Sequence, residues 1–237
     1  MASIHSLRCW LCSLALAWLP LLAAAADPFT VPDTLAQRVA ACLACHGDAG
    51  RATNAGYFPR IAGKPAGYLY NQLRNFRDGR RTNALMSPLL TNLSDAYLQE
   101  IADWFAGQHP PYAVLPEQPL PPDARARGEA LVRHGDPARK VPACAACHGE
   151  ALTGVAPSVP ALLGLPRDYL NAQLGAWRAG QRKAAAPDCM HAVAERLAPE
   201  DITVLSGWLA SQPVPNNGMP ATTRTAPLPL TCGGVAP

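Results

Sequence analysis

The chain has 237 residues, of which 49% are hydrophobic and 16% are charged, and it contains 25 prolines. This length is enough for one large domain or two ordinary ones, and the many prolines favour helices separated by turns over a sheet protein. The formal net charge of +3 is too small to indicate a nucleic-acid-binding protein.

The first 26 residues have the pattern of a secretory signal peptide. Arg8 is the only charged residue among them, an apolar run extends from Trp10 to Leu22, and four alanines ending at Ala26 follow. The run is shorter than the about 20 residues that span a bilayer, and the small residues supply a cleavage site. We expect cleavage near Ala26, export to the periplasm and no membrane span in the mature chain. A retained membrane anchor is the alternative.

The first half of the mature chain, residues 27–110, predicts three or four helices. Asp33 can cap a helix that ends near the motif CLACH at Cys42–His46. A second helix fits between Pro65 and Gly79, because proline is tolerated at a helix start and glycine is common just after a helix end. The last helix opens at Ser94 and has an apolar face.

A proline-rich linker separates this half from the next one. The stretch from His109 to Pro122 contains six prolines and few charges. Such a segment cannot be helical and is typical of a stiff, extended linker. We place the linker at residues 111–121.

The second half, residues 122–212, repeats the first. The motif CAACH at Cys144–His148 lies 102 residues after CLACH. Later residues match at shifts of 101 to 104, which indicates that each copy is a whole small domain. We expect an all-α fold of two tandem domains with a tail at residues 213–237. The matched pairs include Pro59 and Pro160, Tyr68 and Tyr169, Gly79 and Gly180, Met86 and Met190, and Trp104 and Trp208.

Both CxxCH motifs indicate covalent haem attachment. The two cysteines can each add to a haem vinyl group, and the adjacent histidine can then bind the iron. A zinc ribbon would place its second cysteine pair about 15–20 residues later, and a redox dithiol would need a βα context. The sequence therefore predicts two haem c groups. Their attachment residues are Cys42, Cys45 and His46 in the first half, and Cys144, Cys147 and His148 in the second.

Each iron needs a ligand on its other face. Met86 follows His46 by 40 residues and Met190 follows His148 by 42, at matching points between two helices. A methionine can also simply fill a gap in a core. The repeated position favours iron ligation. Histidine–methionine ligation suits electron transfer, because it raises the reduction potential and leaves no coordination position of the iron open for a substrate.

With these motifs the mature chain resembles the class I di-haem cytochromes c, and most closely the cytochrome c4 family. The resemblance covers residues 30–212. It implies two cytochrome c domains face to face, each with one haem crevice, in a periplasmic carrier that passes electrons between respiratory partners. Those partners would be a quinol–cytochrome c reductase, a terminal oxidase or a dehydrogenase. It also implies that the carbonyls of Pro59 and Pro160 accept hydrogen bonds from His46 and His148.

Cys189 and Cys232 depart from that pattern. Thioethers use four of the six cysteines left after cleavage, so these two remain as a pair that can form a disulfide in an oxidising compartment. Alternatively, Cys189 or His191 binds the second iron instead of Met190. A cysteine ligand there would resemble that of the di-haem thiosulfate dehydrogenases. The first reading predicts an electron carrier and the second an enzyme. An electron-accepting subunit of a dehydrogenase is a third possibility.

Charged residues outside the motifs are less informative. Arginines gather near the ends of the two middle helices, where they are either ordinary solvated helix ends, partners of haem propionates or a surface that steers an acidic partner. His109 and His134 have no matching partners in the repeat, and we expect both at the surface.

Overall fold

The computed structural model describes residues 33–53, 58–115 and 119–235. The predicted signal peptide at residues 1–26 lies outside these ranges. The described residues form α-helices and two short 3₁₀ turns, and they contain only isolated β-bridges in place of a sheet. The predicted all-α fold is confirmed.

Ten helices follow one another along the described chain, five in each half. In the first half they are α1 (Leu35–Arg38), α2 (Ala40–His46), α3 (Ala66–Arg77), α4 (Met86–Leu90) and α5 (Asp95–Ala106). In the second half they are α6 (Pro122–His134), α7 (Cys144–His148), α8 (Arg167–Arg178), α9 (Cys189–Ala194) and α10 (Pro199–Ser211). None of the described helices is long and apolar enough to cross a membrane, and the longest have 13 residues.

Local sequence signals explain several of the helix ends. The Ser94 hydroxyl caps α5 by accepting from the Tyr97 amide at 3.2 Å. Gly79 and Gly180 follow α3 and α8 with φ of 74° and 69°, a conformation that glycine adopts without strain. The expected cap at Asp33 is wrong by one residue, because the Thr34 hydroxyl accepts from the Gln37 amide and caps α1.

Each half has an apolar core of its own. In the first half α3 packs on α5, and in the second half α10 packs on α6 and α8. The three buried clusters draw their members from one half or the other. Residues Asp33–Pro237 nevertheless form one compact unit, so the boundaries near residues 110 and 122 stay a prediction.

The linker is attached to the first half at its beginning. The Arg60 guanidinium donates to the Pro110 carbonyl at 2.6 Å and to the Pro111 carbonyl at 3.1 Å. The same guanidinium lies over the Tyr112 ring, 3.9 Å from its centre. That ring lies against Gly164 of the second half, where an added Cβ would overlap it. No described residue between α5 and α6 is helical.

Candidate haem-binding sites

Both CxxCH motifs form a helix that ends at the histidine. These helices are α2, which ends at His46, and α7, which ends at His148. Cys42 and Cys45 are partly buried, as are Cys144 and Cys147, and none of these four forms a disulfide. Thiols spaced in this way can receive one haem between them.

The thiol of Cys144 lies in surroundings that disfavour its thiolate form. Burial, reinforced by the neighbouring Cys147, raises the pKa of the Cys144 thiol to about 11. A metal site or a reactive dithiol instead requires a thiolate, which a lowered pKa would favour. Among the described residues, no group of three or more His, Cys, Asp or Glu side chains is arranged to hold a metal ion.

The two motif histidines are buried and held in the same way. His46 is 6% exposed and His148 is 7% exposed. The Nδ1 of His46 lies 2.8 Å from the Pro59 carbonyl, and the Nδ1 of His148 lies 2.8 Å from the Pro160 carbonyl. Because a carbonyl can only accept, Nδ1 carries the proton and Nε2 keeps a free lone pair. Burial also lowers the pKa of both imidazoles, which favours the neutral form that binds iron.

The second half contains a cavity with the groups that a haem c requires. Cys144, Cys147, His148 and Met190 all line it. Most of the remaining lining is apolar and includes Leu162, Leu170, Leu174, Val193, Leu205 and Leu209. Two thiols, a neutral imidazole and a thioether on one apolar cavity fit the covalent attachment and axial ligation of a haem.

In the first half the corresponding methionine begins α4. Met86 is partly buried and packs against the cluster of Phe76, Leu90 and Leu98. Cys42 packs on the neighbouring cluster that includes Val39 and Leu69. The arrangement of His46 opposite Met86 across one cavity stays a prediction.

The tail forms part of the wall of the second cavity. Cys189 and Cys232 form a disulfide with a Cα–Cα distance of 5.1 Å, which joins the tail to the residue before Met190. Five tail residues line the cavity, namely Leu228, Leu230, Cys232, Gly234 and Val235. Cys189 therefore has no free thiolate in this structure.

His191 is also engaged away from the cavity. Its Nδ1 donates to the Trp177 carbonyl at 2.9 Å, and its Nε2 lies 3.6 Å from a Glu195 carboxylate oxygen. The side chain is 42% exposed and does not line the cavity. In this structure Cys189 is held in a disulfide and His191 does not line the cavity, so neither presents a free ligand atom to it.

Two arginines join the halves beside this cavity. Arg81 and Arg182 face each other in an antiparallel bridge. Arg81 donates to Gln72 of its own half at 3.0 Å and to Gln173 of the other half at 2.7 Å. Arg182 donates to Gln173 at 2.7 Å and to Gln72 at 2.9 Å, so the contacts repeat with near two-fold symmetry. We call these four residues the arginine–glutamine junction.

The expectation of ordinary solvated helix ends is wrong for Arg182. It is 3% exposed, and its guanidinium lies 3.6 Å from the centre of the Trp177 ring. Because the junction depends on how the halves dock, its contacts could not be derived from either half alone. The repeated Gln-Leu and Gly-x-Arg pairs were the available signal. His109 and His134 are exposed, as expected.

Lys64 is a cavity residue that the sequence reasoning missed. It is 8% exposed, belongs to the first half and lines the cavity of the second half. Burial lowers the pKa of its ammonium group. The available signal was a mismatch in the repeat, since Leu165 occupies the matching position 101 residues later.

The chain is similar to known di-haem proteins. No family model matches it. It is 39% identical over 176 residues to a thiosulfate dehydrogenase electron acceptor of Thiomonas intermedia, covering 74% of this chain and 80% of the relative. It is 37% identical over 174 residues to a cytochrome c4 of Pseudomonas aeruginosa, covering 73% of this chain and 84% of the relative.

Solved structures show the same relationship. A reduced recombinant cytochrome c4 from Pseudomonas stutzeri has a TM-score of 0.62 and 32% identity, and the match covers 73% of this chain and 93% of that one. The thiosulfate dehydrogenase TsdBA from Marichromatium purpuratum also has a TM-score of 0.62, with 34% identity. That match covers 73% of this chain and 36% of the TsdBA chain.

Proposed function

Because this chain belongs to the cytochrome c4 family of di-haem cytochromes c, we propose that it carries electrons between redox proteins in the periplasm with both irons ligated by histidine and methionine. It carries two covalently attached haem c groups, and each supplies an iron that takes up and releases one electron. The disulfide between Cys189 and Cys232 supports an oxidising compartment.

In this proposal each half uses the same set of residues. The cysteine pairs Cys42/Cys45 and Cys144/Cys147 form the thioethers. His46 and His148 would bind the irons through Nε2, and Met86 and Met190 would each supply a second ligand. The carbonyls of Pro59 and Pro160 fix the imidazole orientation, because each accepts the Nδ1 proton at 2.8 Å. Irons with both axial positions filled have no open site for a substrate, which favours a carrier over an enzyme.

The single observation that carries the proposal is the composition of the second cavity. His148 and Met190 line the same apolar cavity as the cysteine pair, while Cys189 is held in a disulfide. An enzyme of the cysteine-ligated kind would need a free thiolate there. The carrier reading requires only the groups that line the cavity.

The electron donor in this proposal is a dehydrogenase. Two relatives, from Thiomonas intermedia and Stutzerimonas stutzeri, are named thiosulfate dehydrogenase electron acceptors and are 39% and 37% identical to this chain. We expect thiosulfate alone to leave the ferric holoprotein oxidised, and thiosulfate with a thiosulfate dehydrogenase to reduce it. Reduction by thiosulfate alone would instead support the enzyme alternative.

Ligation is tested by redox-titrated optical spectra of the purified holoprotein. We expect two methionine–iron absorption bands per chain. Met86→His and Met190→His should each remove one band and lower one potential by a large part of the about 0.8 V range that axial ligands set. Met219→His is the matched control, because Met219 is 47% exposed and has no counterpart in the repeat. A variant of Met86 or Met190 that keeps both bands would contradict the assignment.

A further inference from the structure

Lys64 belongs to the first half of the chain but lines the haem cavity of the second half. It lies two residues before α3 of the first half and lines the cavity that also contains His148 and Met190. The residue is 8% exposed. Within the described residues its electrostatic neighbours are the Tyr68 phenol and the cations Arg60 and Arg182, with no carboxylate among them. A buried ammonium without an anionic partner is costly unless the cavity supplies a compensating charge.

The other charged groups of this cavity are already used by the protein. The Arg182 guanidinium donates to two glutamines and lies over the Trp177 ring. The Asp188 carboxylate accepts from the backbone amides of Ala184 at 2.7 Å and of His191 at 3.0 Å, where it caps α9. Lys64 is therefore the charged group of the lining that is left for a ligand.

Only the first copy of the repeat has a lysine at this position. Leu165 occupies the matching position of the second half, and each of the two residues is followed by a proline. Leu165 is 5% exposed and belongs to the apolar core of its half. The two copies of the repeat thus differ at this position by one buried positive charge, and both residues line the cavity of the second half.

We propose that the Lys64 ammonium group places a positive charge in the second haem pocket and that this charge raises the reduction potential of the second haem. The residue itself belongs to the first half. One electron from a redox partner turns ferric iron ferrous and adds one negative charge to the pocket, with no bond made or broken. A fixed positive charge in an apolar cavity favours that reduced state, and the interaction is stronger there than in water. The inference rests on the proposed haem site of the second half.

The consequence is a bias in where an electron resides. Without Lys64, two similarly ligated haems would divide a single electron according to smaller differences in their surroundings. With it, the electron shifts toward the second haem, so electrons that enter at the first haem move on to the second. Lys64 acts here through charge and makes no bond to the iron.

The test is a spectroelectrochemical titration of Lys64→Leu and Lys64→Gln holoproteins. Lys64→Leu reproduces the residue of the other half. We expect the midpoint potential of one of the two redox waves to fall by about 59 mV, which for one electron is about a tenfold change in the equilibrium constant for reduction. A Met86→His background, which moves the first haem's wave far away, should show the same shift in the remaining wave. Lys183→Leu is the control, because it removes the same charge from an exposed site.

Two further measurements distinguish an effect of the Lys64 charge from an effect on the structure. Lys64→Arg should keep the wild-type potential, and the methionine–iron bands should survive in every Lys64 variant. Unchanged waves, equal shifts of both waves, or loss of a band in Lys64→Gln would overturn the inference. A wild-type protein with fewer than two bands would contradict the proposed ligation instead, and the Lys64 shift can still be measured in that case.

Discussion

The two halves carry the same CxxCH motif and a matching methionine but differ in what lies around that methionine. In the first half Leu85 and Leu89 flank Met86 and are 51% and 57% exposed. In the second half the position matching Leu85 is Cys189, which the disulfide joins to the tail. The comparison separates what a haem requires, which both halves keep, from what one half has added around it.

The halves also differ in how they treat an aspartate at the start of the last helix. In the second half Asp201 is buried and accepts from Arg127 at 3.0 Å and from Arg139 at 2.6 Å. In the first half Asp95 is 57% exposed and pairs with Arg77 at 2.7 Å. The first arrangement ties α10 to α6 and to the turn before α7, whereas the second lies in solvent.

The largest expected effect comes from breaking the buried arrangement. Asp201→Asn should lower the free energy of unfolding by about 3–5 kcal/mol, because it removes the charge of a buried carboxylate that accepts two charge-assisted hydrogen bonds and leaves Arg127 and Arg139 with Asp136 alone. Asp95→Asn, at the first-turn aspartate of the last helix in the other half, should cost only about 0–1 kcal/mol. Denaturant unfolding of both holoproteins measures the difference. Hydrogen exchange should locate the loss in peptides of the second half.

The pH dependence of the free energy of unfolding gives a second test of Asp201. Burial raises the pKa of Asp201, but the hydrogen bonds from Arg139, the Ala198 amide and Arg127 outweigh it, so the pKa lies below its ordinary value. A carboxyl group with a lowered pKa stabilises the fold at any pH above its ordinary pKa. This stabilisation is lost as the pH falls through the lowered pKa. The stability gap between wild type and Asp201→Asn should therefore narrow in acid. A constant gap would contradict the ion-pair explanation.

A somewhat smaller effect is expected from releasing the tail. The double variant Cys189→Ser/Cys232→Ser opens a loop of 43 residues in sequence separation. In the chain-entropy model it should lower the free energy of unfolding by about 3–4 kcal/mol. Thermal or denaturant unfolding measures the loss, and tail peptides should exchange hydrogen faster. The methionine–iron bands should persist, because Met190 rather than the tail is the proposed ligand; their loss would give the tail a role in ligation.

The smallest expected effect concerns the arginine–glutamine junction. Gln173→Leu removes an acceptor from both Arg81 and Arg182, and we expect a cost of about 1–3 kcal/mol for the unsatisfied buried donors. Gln37→Leu, at an exposed position on α1, should stay within about 0.5 kcal/mol. Probes in each half should then show separate unfolding transitions. Coincident transitions in Gln173→Leu would mean that other contacts couple the halves.

Sequence reasoning succeeded where the signal is local. The CxxCH motifs, the glycines after α3 and α8 and the cap at Ser94 each depend on a few neighbouring residues, and the repeat supplied a second copy of most of them. The contacts of Pro59 and Pro160 with the histidines came from the family resemblance, and the structure has both at 2.8 Å.

Sequence reasoning was incomplete where the two halves meet. Arg182 reads as a charged residue at a helix end, but contacts with both halves bury it. Lys64 reads as a surface residue for the same reason, since its cavity is built by residues about a hundred positions later. Burial by a distant segment leaves no periodic pattern around the buried residue.

The attachment of the linker to Arg60 bears on how tightly the halves must bind each other. By holding the carbonyls of Pro110 and Pro111, Arg60 confines the chain that leads into the second half to one place on the first. A tethered partner experiences a high effective concentration, so contacts that would be too weak between separate molecules suffice within one chain. The junction between the halves can therefore consist of a few polar contacts and still stay closed.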